Sequence, residues 1–320
     1  MSEPKRHRID IHHHFLPQRY MAEEHERVAL TVTHNLSGAG LLKWTPEQAL
    51  EVMDKNGIEI AIGSCSTPGP WFGDVAAARR LSREWNEAAA RTVADHPGRF
   101  GFFGVVTPPD PDGALKEIEY ALDSLNATGI GIHSNYDGRS LGDPAFAPVF
   151  AELNRRKCVV YVHPTMHSCC AGLIPGLIPQ AIEFPLDTTR TITSLAVSGT
   201  LARCPDIRFV FSHGGGALPF LAARIGEVAG RNKEISARNP RGLMAELKRL
   251  YCDTASATSA PQLAAMLAFY EASHILFGSD YPFIQPHEVV EGLEHYPLTA
   301  ALRAGIDRAH ALALLPQLAQ

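Results

Sequence analysis

The chain has 320 residues, 45% of them hydrophobic and 20% charged, and a formal net charge of −5. This composition supplies enough apolar material for one large core, and a weakly acidic chain without clustered Lys and Arg predicts neither a nucleic-acid nor a membrane-surface partner. The sequence has no apolar run of about 18 residues and starts with the polar stretch MSEPKRHR, so neither a membrane span nor a signal peptide is predicted.

The six cysteines show no CxxC spacing. We expect them to be reduced thiols in a cytoplasmic protein, because disulfides are rare in that compartment. The adjacent pair Cys169 and Cys170 leaves one alternative open, a metal or redox site, although neighbouring cysteines chelate a single ion poorly.

Short apolar segments alternate with amphipathic helical segments along the whole chain. The predicted strands are residues 8–15, 58–65, 100–106, 129–135, 158–165, 207–215, 250–256 and 274–282. Their apolar residues alternate little with polar ones, which is typical of parallel strands buried on both faces. Helical segments at 45–57, 110–126 and 143–157 begin with Thr-Pro or Asp-Pro, a common helix start. Eight strands in alternation with helices predict an α/β fold, a (β/α)8 TIM-type barrel, in a single domain over residues 1–320.

Two connections are longer than usual for such a fold. They are residues 18–44, after strand 1, and residues 166–185, after strand 5. We predict that both are extended active-site loops, because long loops in a compact domain are usually functional.

Polar side chains fall at the C-terminal ends of the predicted strands, where barrels of this type carry their chemistry. They are His12 and His14 on strand 1, His163 on strand 5, His213 on strand 6 and Asp280 on strand 8. Side chains alternate along a strand, so His12 and His14 share one face while His13 points the other way. On the same reasoning Asp10 lies on the inward face and orients a ligand histidine.

Three imidazoles and one carboxylate form a sensible site for a divalent ion that keeps positions open for substrate. His213 is then left over beside the ion, where a neutral histidine can act as a general base. The alternative is that the histidines only decorate a strand, and the glycines that follow His213 only permit a turn.

Four segments together resemble the amidohydrolase superfamily: DIHHHF, YVHP, FSHGGGALPFLAARI and LFGSDYPF. They are most similar to its branch of metal-dependent decarboxylases, which act on aminocarboxymuconate semialdehyde, γ-resorcylate, 5-carboxyvanillate and 6-methylsalicylate. The resemblance implies a (β/α)8 fold, one Zn²⁺ or Mn²⁺ ion and non-oxidative decarboxylation. It assigns the metal ligands to His12, His14, His163 and Asp280 and the catalytic role to His213.

The resemblance also assigns a role to Arg224, which stands eleven residues after His213. In the family an arginine at this spacing reaches into the site of a neighbouring subunit and binds a substrate carboxylate. The expected partners are therefore a small carboxylate substrate and a second copy of the chain, in a homodimer or higher homo-oligomer.

The sequence differs from the family pattern at two places, and these differences bear on the number of metal ions and on the number of substrate carboxylates. Strand 4, GIGIHSN, has no lysine to bridge two metals, which favours a mononuclear centre over a binuclear hydrolase. The muconate-semialdehyde enzymes carry an extra arginine before the first helix, whereas this chain offers Lys43 there, so a substrate with one carboxylate is favoured. WTPEQALEVMDKNGI, STPGPWFGD and FPLDTTRTI are most similar to the 6-methylsalicylate group.

The expected reaction is decarboxylation of an ortho-hydroxylated, 6-methylsalicylate-like aromatic acid from aromatic catabolism. Asp280 donates the proton in the phenolic branch and His213 in the muconate branch, and the sequence leaves both open. Candidate substrate contacts are Phe283, which could stack on the ring, Arg190, and Trp71 with its neighbour Phe72. Two other functions remain: a metal-dependent hydrolase or hydratase of a lactone, ester or unsaturated acid, and a non-catalytic metal-binding barrel.

Overall fold

The structure is a computed structural model that describes residues 7–23, 44–170 and 172–319. Eight parallel strands form one sheet whose spatial order follows the chain. They are β1 Arg8–His14, β2 Ile58–Ser64, β3 Phe100–Val105, β4 Gly129–His133, β5 Val159–His163, β6 Arg208–Phe211, β7 Tyr251–Asp253 and β8 Ile275–Leu276. The predicted (β/α)8 barrel is confirmed.

The sheet closes because the chain after β8 returns to β1. Ile11 N donates to the Phe277 carbonyl at 3.0 Å, and Asp280 N donates to the His12 carbonyl at 2.7 Å. His13 and Tyr281 form an isolated parallel bridge one step further on. This closure brings the last strand's polar end beside the first strand's histidines.

Helices follow most strands and cover the outside of the barrel. They are α1 Gln18–Glu23, α2 Pro46–Lys55, α3 Val75–Asp95, α4 Pro111–Glu119, α5 Ala147–Arg155, α6 Glu183–Val197, α7 Thr200–Arg203, α8 Leu218–Gly230, α9 Lys233–Arg238, α10 Leu243–Lys248, α11 Ala260–Phe269, α12 Pro286–His295, α13 Ala300–Ala304 and α14 His310–Leu314. The predicted helix start at Thr45 is confirmed, since its side chain accepts from Gln48 N and proline follows it. In the described part of the chain, no helix is long and apolar enough to cross a membrane.

The core has two layers. An outer layer packs the strands against the helices and contains Trp85 and Phe15. An inner layer fills the barrel below the polar end with Ile9, Ile11, Phe103 and other side chains, and the C-terminal residues around Leu314 close it from beneath. His12 and His14 of β1 therefore lie above an apolar floor.

Between Asp10 and His13, β1 carries one extra residue relative to β2, whereas between Arg8 and Ile9 the extra residue is on β2. Asp10 pairs with Ala61 and His13 pairs with Gly63, so three residue steps on β1 match two on β2. Such a bulge interrupts the alternation of side chains. Ile9 and Ile11 lie in the inner layer, and His12, directly after Ile11, also faces inward because its ring contacts that of Tyr161.

The bulge makes the prediction for Asp10 wrong. Its carboxylate binds His13 Nδ1 at 3.3 Å and the Ser279 hydroxyl at 2.5 Å, and it also accepts from Ser279 N. Asp10 and His13 share the outer side of the strand, where His13 packs against Tyr281 and Phe15. Asp10 therefore ties β1 to the chain after β8, and it accepts from the backbone N–H of His12 at 3.1 Å but does not contact the ring of that candidate ligand.

The cysteine prediction is correct for four thiols and wrong for two. Cys65, Cys158, Cys204 and Cys252 are unpaired and buried. Cys169 and Cys170 form a disulfide in the connection between β5 and α6. That connection, residues 164–182, contains two short 3-10 turns, Ser168–Cys170 and Pro179–Ala181. Most of the predicted loop at 18–44, including Lys43, lies outside the described residues.

Candidate metal centre and active site

Four side chains predicted from the strand ends converge at the open end of the barrel. His12, His14, His163 and Asp280 are all buried, and each offers one ligand atom within 4.8 Å of the others. The Nε2 atoms of His12 and His14 are 3.1 Å apart. Asp280 Oδ1 lies 3.2 Å from the first and 2.9 Å from the second. This is the only group of its kind found among the residues that the structure describes.

Each of the three histidines has a hydrogen-bond acceptor near its other ring nitrogen. His12 Nδ1 lies 2.9 Å from Asp253 Oδ2, and His163 Nδ1 lies 2.9 Å from the Pro164 carbonyl. His14 Nδ1 lies 3.3 Å from the Ser64 carbonyl. When Nδ1 donates to these acceptors, the lone pair is left on Nε2, which is the tautomer that a metal ligand needs.

The electrostatics of the group favour a positive charge at its centre. Burial lowers the pKa of His12, but the carboxylates of Asp253 and Asp280 outweigh it and raise that pKa to about 10. Burial would raise the pKa of Asp280, yet His12 and His14 hold it well below its usual range. Burial lowers the pKa of His163, so its imidazole is neutral and able to coordinate. The high pKa of His12 shows that the group attracts a proton, and a divalent cation bound by the three imidazoles and the carboxylate would take the place of that proton.

His213 lies beside this group and outside it. It follows β6, and its Nε2 is 3.9 Å from Asp280 Oδ2. Its Nδ1 lies 3.2 Å from the Ala255 carbonyl, which leaves Nε2 free to accept a proton on the side of Asp280. Burial lowers the pKa of His213, so the ring is neutral near pH 7. Its φ of +55° is unusual for a residue other than glycine, and such backbone conformations cluster at functional sites.

Asp253, at the end of β7, is a site residue that the sequence analysis missed. Its Oδ2 is bonded to His12 Nδ1 and accepts from the Tyr161 hydroxyl at 3.2 Å. Its Oδ1 accepts from the backbone N–H of His213 at 2.9 Å and of Ala255 at 3.0 Å. One fully buried carboxylate therefore orients a candidate metal ligand and also holds the backbone of His213. In the sequence, this role could have been suspected because Asp253 is an aspartate at the end of a predicted apolar strand.

β4 ends in a histidine, His133, and contains no lysine. His133 pairs in register with His163, and the two ring centroids are 6.4 Å apart. His133 is buried, its pKa is lowered by burial to about 4, and it is not part of the group of four. The prediction of one metal ion is therefore compatible with the residues at this strand end.

A cavity of about 810 Å³ is lined by two of the four candidate ligands, His163 and Asp280, and by His213. His163, His213 and Asp280 form its inner end. Phe283, predicted as a substrate contact, lines it and places its ring edge-on to His14 with centroids 5.2 Å apart. Phe184, which the sequence analysis did not single out, lines it too, with its ring 6.4 Å from that of His163.

The other predicted substrate contacts do not line this cavity. Trp71 donates its indole N–H to Asp137 at 2.7 Å, and neither it nor Phe72 is among the lining residues. Arg190 lies 3.9 Å from Glu183 in α6. Arg224 is exposed on α8, outside the site of its own chain. The structure therefore brings Phe283 to the centre but leaves Trp71, Arg190 and Arg224 away from it.

Comparison with known proteins agrees with this architecture. The chain matches the Amidohydrolase family over residues 9–316. It is 34% identical over 320 residues to 6-methylsalicylic acid decarboxylase of Penicillium expansum, with 97% of each sequence covered. It is 37% identical over 284 residues to 6-methylsalicylic acid decarboxylase acuB of Aspergillus aculeatus, covering 86% of this chain and 84% of that protein.

A solved structure shares the fold across the whole barrel. It is a dihydroxybenzoic acid decarboxylase from a Polaromonas species, crystallised with manganese and the inhibitor 2-nitroresorcinol. The superposition gives a TM-score of 0.83 at 22% identity and covers 98% of this chain and 97% of that one. With a family match over nearly its whole length and relatives above 30% identity, this chain belongs to the amidohydrolase family, among its metal-dependent decarboxylases.

Proposed function

We propose that this enzyme is a metal-dependent, non-oxidative decarboxylase of an ortho-hydroxylated aromatic acid similar to 6-methylsalicylate. The observation that carries the proposal is the three-histidine, one-aspartate group at the inner end of a cavity, with a neutral His213 beside it. Two relatives at 34% and 37% identity are named as 6-methylsalicylic acid decarboxylases. The comparisons do not favour the alternative of a hydrolase or hydratase.

His12, His14, His163 and Asp280 would hold one divalent ion, and we propose zinc, with manganese as the alternative. Three nitrogen ligands and one carboxylate are a common zinc set, while the related dihydroxybenzoic acid decarboxylase was crystallised with manganese. When bound, the ion supplies Lewis acidity and orients the substrate's carboxylate and neighbouring phenolic oxygen. Asp253 and Ser64 keep His12 and His14 turned toward the ion.

The chain's own residues then manage one proton. The ring carbon that bears the carboxylate takes up a proton, the carbon–carbon bond breaks, its electron pair restores the aromatic ring, and CO₂ leaves. His213 Nε2 and Asp280 Oδ2, 3.9 Å apart, are both unprotonated near pH 7, so one of them first takes that proton from solvent and then passes it to the ring carbon at the inner end of the cavity. Phe283 lies beside the ligand His14, where it can pack against the substrate ring.

We also propose that the active unit is a dimer in which Arg224 serves the partner's site. Among the described residues that line the cavity there is no lysine or arginine, so these residues offer a substrate carboxylate no such cationic partner. Arg224 is exposed, and the same helix exposes Phe220 to 84% and Val228 to 53%, an apolar surface suited to a second copy. For Trp71 and Arg190, which stand away from the cavity, we propose only an indirect role in supporting its walls.

A cytoplasmic location is proposed as well. It is supported by the four buried, unpaired cysteines, which would be typical of a reducing compartment.

The reaction is tested with a panel of hydroxybenzoates and a direct measurement of CO₂ release. We expect the wild-type enzyme to release CO₂ from 6-methylsalicylate. His213→Asn should retain its metal and lose about a hundredfold to ten-thousandfold in kcat, because it removes a proton-handling group that does not bind the metal. Loss of metal together with activity would make His213 a ligand, and hydrolysis of lactones or esters without any CO₂ release would overturn the proposed reaction.

Metal analysis tests the mononuclear centre. We expect one equivalent of tightly bound divalent ion per chain, because the four side chains form one coordination sphere and β4 supplies His133 in place of a bridging lysine. His163→Ala should lower the bound metal well below one equivalent, whereas His295→Ala, an exposed histidine of α12, should not. Two tightly held equivalents per wild-type chain would contradict this assignment.

Asp253→Asn tests the orienting carboxylate. The amide has nearly the same shape but loses the charge that holds His12 Nδ1–H, so we expect metal affinity to fall about tenfold to a hundredfold. The measurement is competition with a chromogenic chelator, and Asp95→Asn, at an exposed helix end, is the matched control. Unchanged affinity in Asp253→Asn would show that Asp253 has no such role.

Mixed dimers test the crossing arginine. Arg224→Ala and His213→Asn chains should each be poor catalysts alone, and their mixture should recover activity, since one hybrid site contains both intact residues. Arg231→Ala, which removes an exposed arginine at the end of the same helix, serves as the control and should stay active. Dimers that exchange subunits without recovery, or full wild-type activity as a dilute monomer, would rule out the crossing.

A further inference from the structure

The cavity has two chemically different ends. Its inner end carries His163, His213 and Asp280, whereas further out, beside hydroxyls, amides and Glu288, part of the wall is built from apolar side chains. These come from the connection before α6, from the start of α6 and from the chain after β8: Ile178, Ala181, Phe184, Pro185, Pro282 and Ile284. A substrate held by its carboxylate at the inner end therefore extends along an apolar surface.

The walls also exclude a second anionic group. The polar side chains of the cavity outside its inner end are hydroxyls, amides and the carboxylate of Glu288. Glu288 repels a second carboxylate at this end, and no described lining residue is a lysine or arginine that would offset that repulsion. The arginine that the proposed dimer brings into the site pairs with the first carboxylate. The distal part of the ligand should therefore be uncharged.

The cavity is larger than a substrate with only a methyl substituent would fill. At about 810 Å³ it falls in the upper part of the 300–1,000 Å³ range of pockets that enclose drug-sized ligands. A small monocyclic acid seated against Phe283 and Phe184 would leave the region around Ile178 and Ile284 without a partner. An apolar surface of this kind gains free energy when a hydrocarbon covers it.

We propose that the substrate is an aromatic acid with a hydrocarbon substituent longer than methyl, which packs against Ile178, Phe184 and Ile284. This inference rests on the proposed decarboxylase function and specifies its substrate class. Each methylene that becomes buried against such a wall strengthens binding about fourfold, since burial contributes roughly 0.8 kcal/mol.

The first experiment measures kcat/KM of the metal-loaded enzyme on salicylates that carry methyl, ethyl, propyl or pentyl at carbon 4 or carbon 6. In at least one of the two series we expect kcat/KM to rise about threefold to fourfold per methylene up to propyl. Ile178→Trp should fill the wall and lower the pentyl value at least tenfold while changing the methyl value less than threefold. Leu173→Trp, an exposed position on the same connection, is the control and should change neither.

The second experiment separates this inference from the proposed function. Both series yield the same 3-alkylphenols as products, so their dissociation constants can be measured by calorimetry without any turnover. Tighter binding with chain length in the absence of CO₂ release would support the apolar wall and overturn the decarboxylase. CO₂ release with binding and kcat/KM that are flat or fall with chain length in both series, or an Ile178→Trp variant that keeps the wild-type profile, would overturn the inference.

Discussion

The site depends on the register shift in the first strand between Asp10 and His13. The extra residue of β1 lets two consecutive side chains, Ile11 and His12, both face the barrel interior. Ile11 belongs to the apolar floor and His12 to the polar group above it. Asp10 and His13 are turned outward, where the Asp10 carboxylate accepts a hydrogen bond from the Ser279 hydroxyl. This bond links the segment that carries Asp280 to the strand that carries His12. The same strand thus closes the barrel and presents two histidines to one point.

Space for this arrangement is made by glycines on the adjacent strands. A Cβ on Gly63 would lie 2.4 Å from the ring of Phe15, and a Cβ on Gly278 would lie 2.7 Å from the Cβ of His12. Only glycine permits such close approach of strand backbone to neighbouring side chains. The histidines are therefore held by packing before any ion binds, which is the preorganisation that a metal centre needs.

Charge organises the rest of the centre. Two buried carboxylates, Asp253 and Asp280, bracket His12 and raise its pKa, while burial keeps His163 and His213 neutral. Asp253 links the two functions of the site, since one of its oxygens orients His12 and the other holds the backbone of His213. A change at this one residue therefore acts on metal binding and on the position of the proton-handling histidine together.

The sequence by itself determined the elements and most of the centre. Apolar runs, helix starts such as Thr45-Pro46 and polar residues at strand ends are local patterns, and they predicted the barrel and the convergence of His12, His14, His163 and Asp280. Tertiary structure alone decided the bulge that turns Asp10 outward, because a bulge is defined by pairing with a second strand. It also decided the role of Asp253, which bonds His12 across 241 residues of chain, and the joining of Phe184 and Phe283 in one cavity. Such contacts depend on where distant segments meet in the folded barrel, and the spacing of residues along the sequence does not predict them.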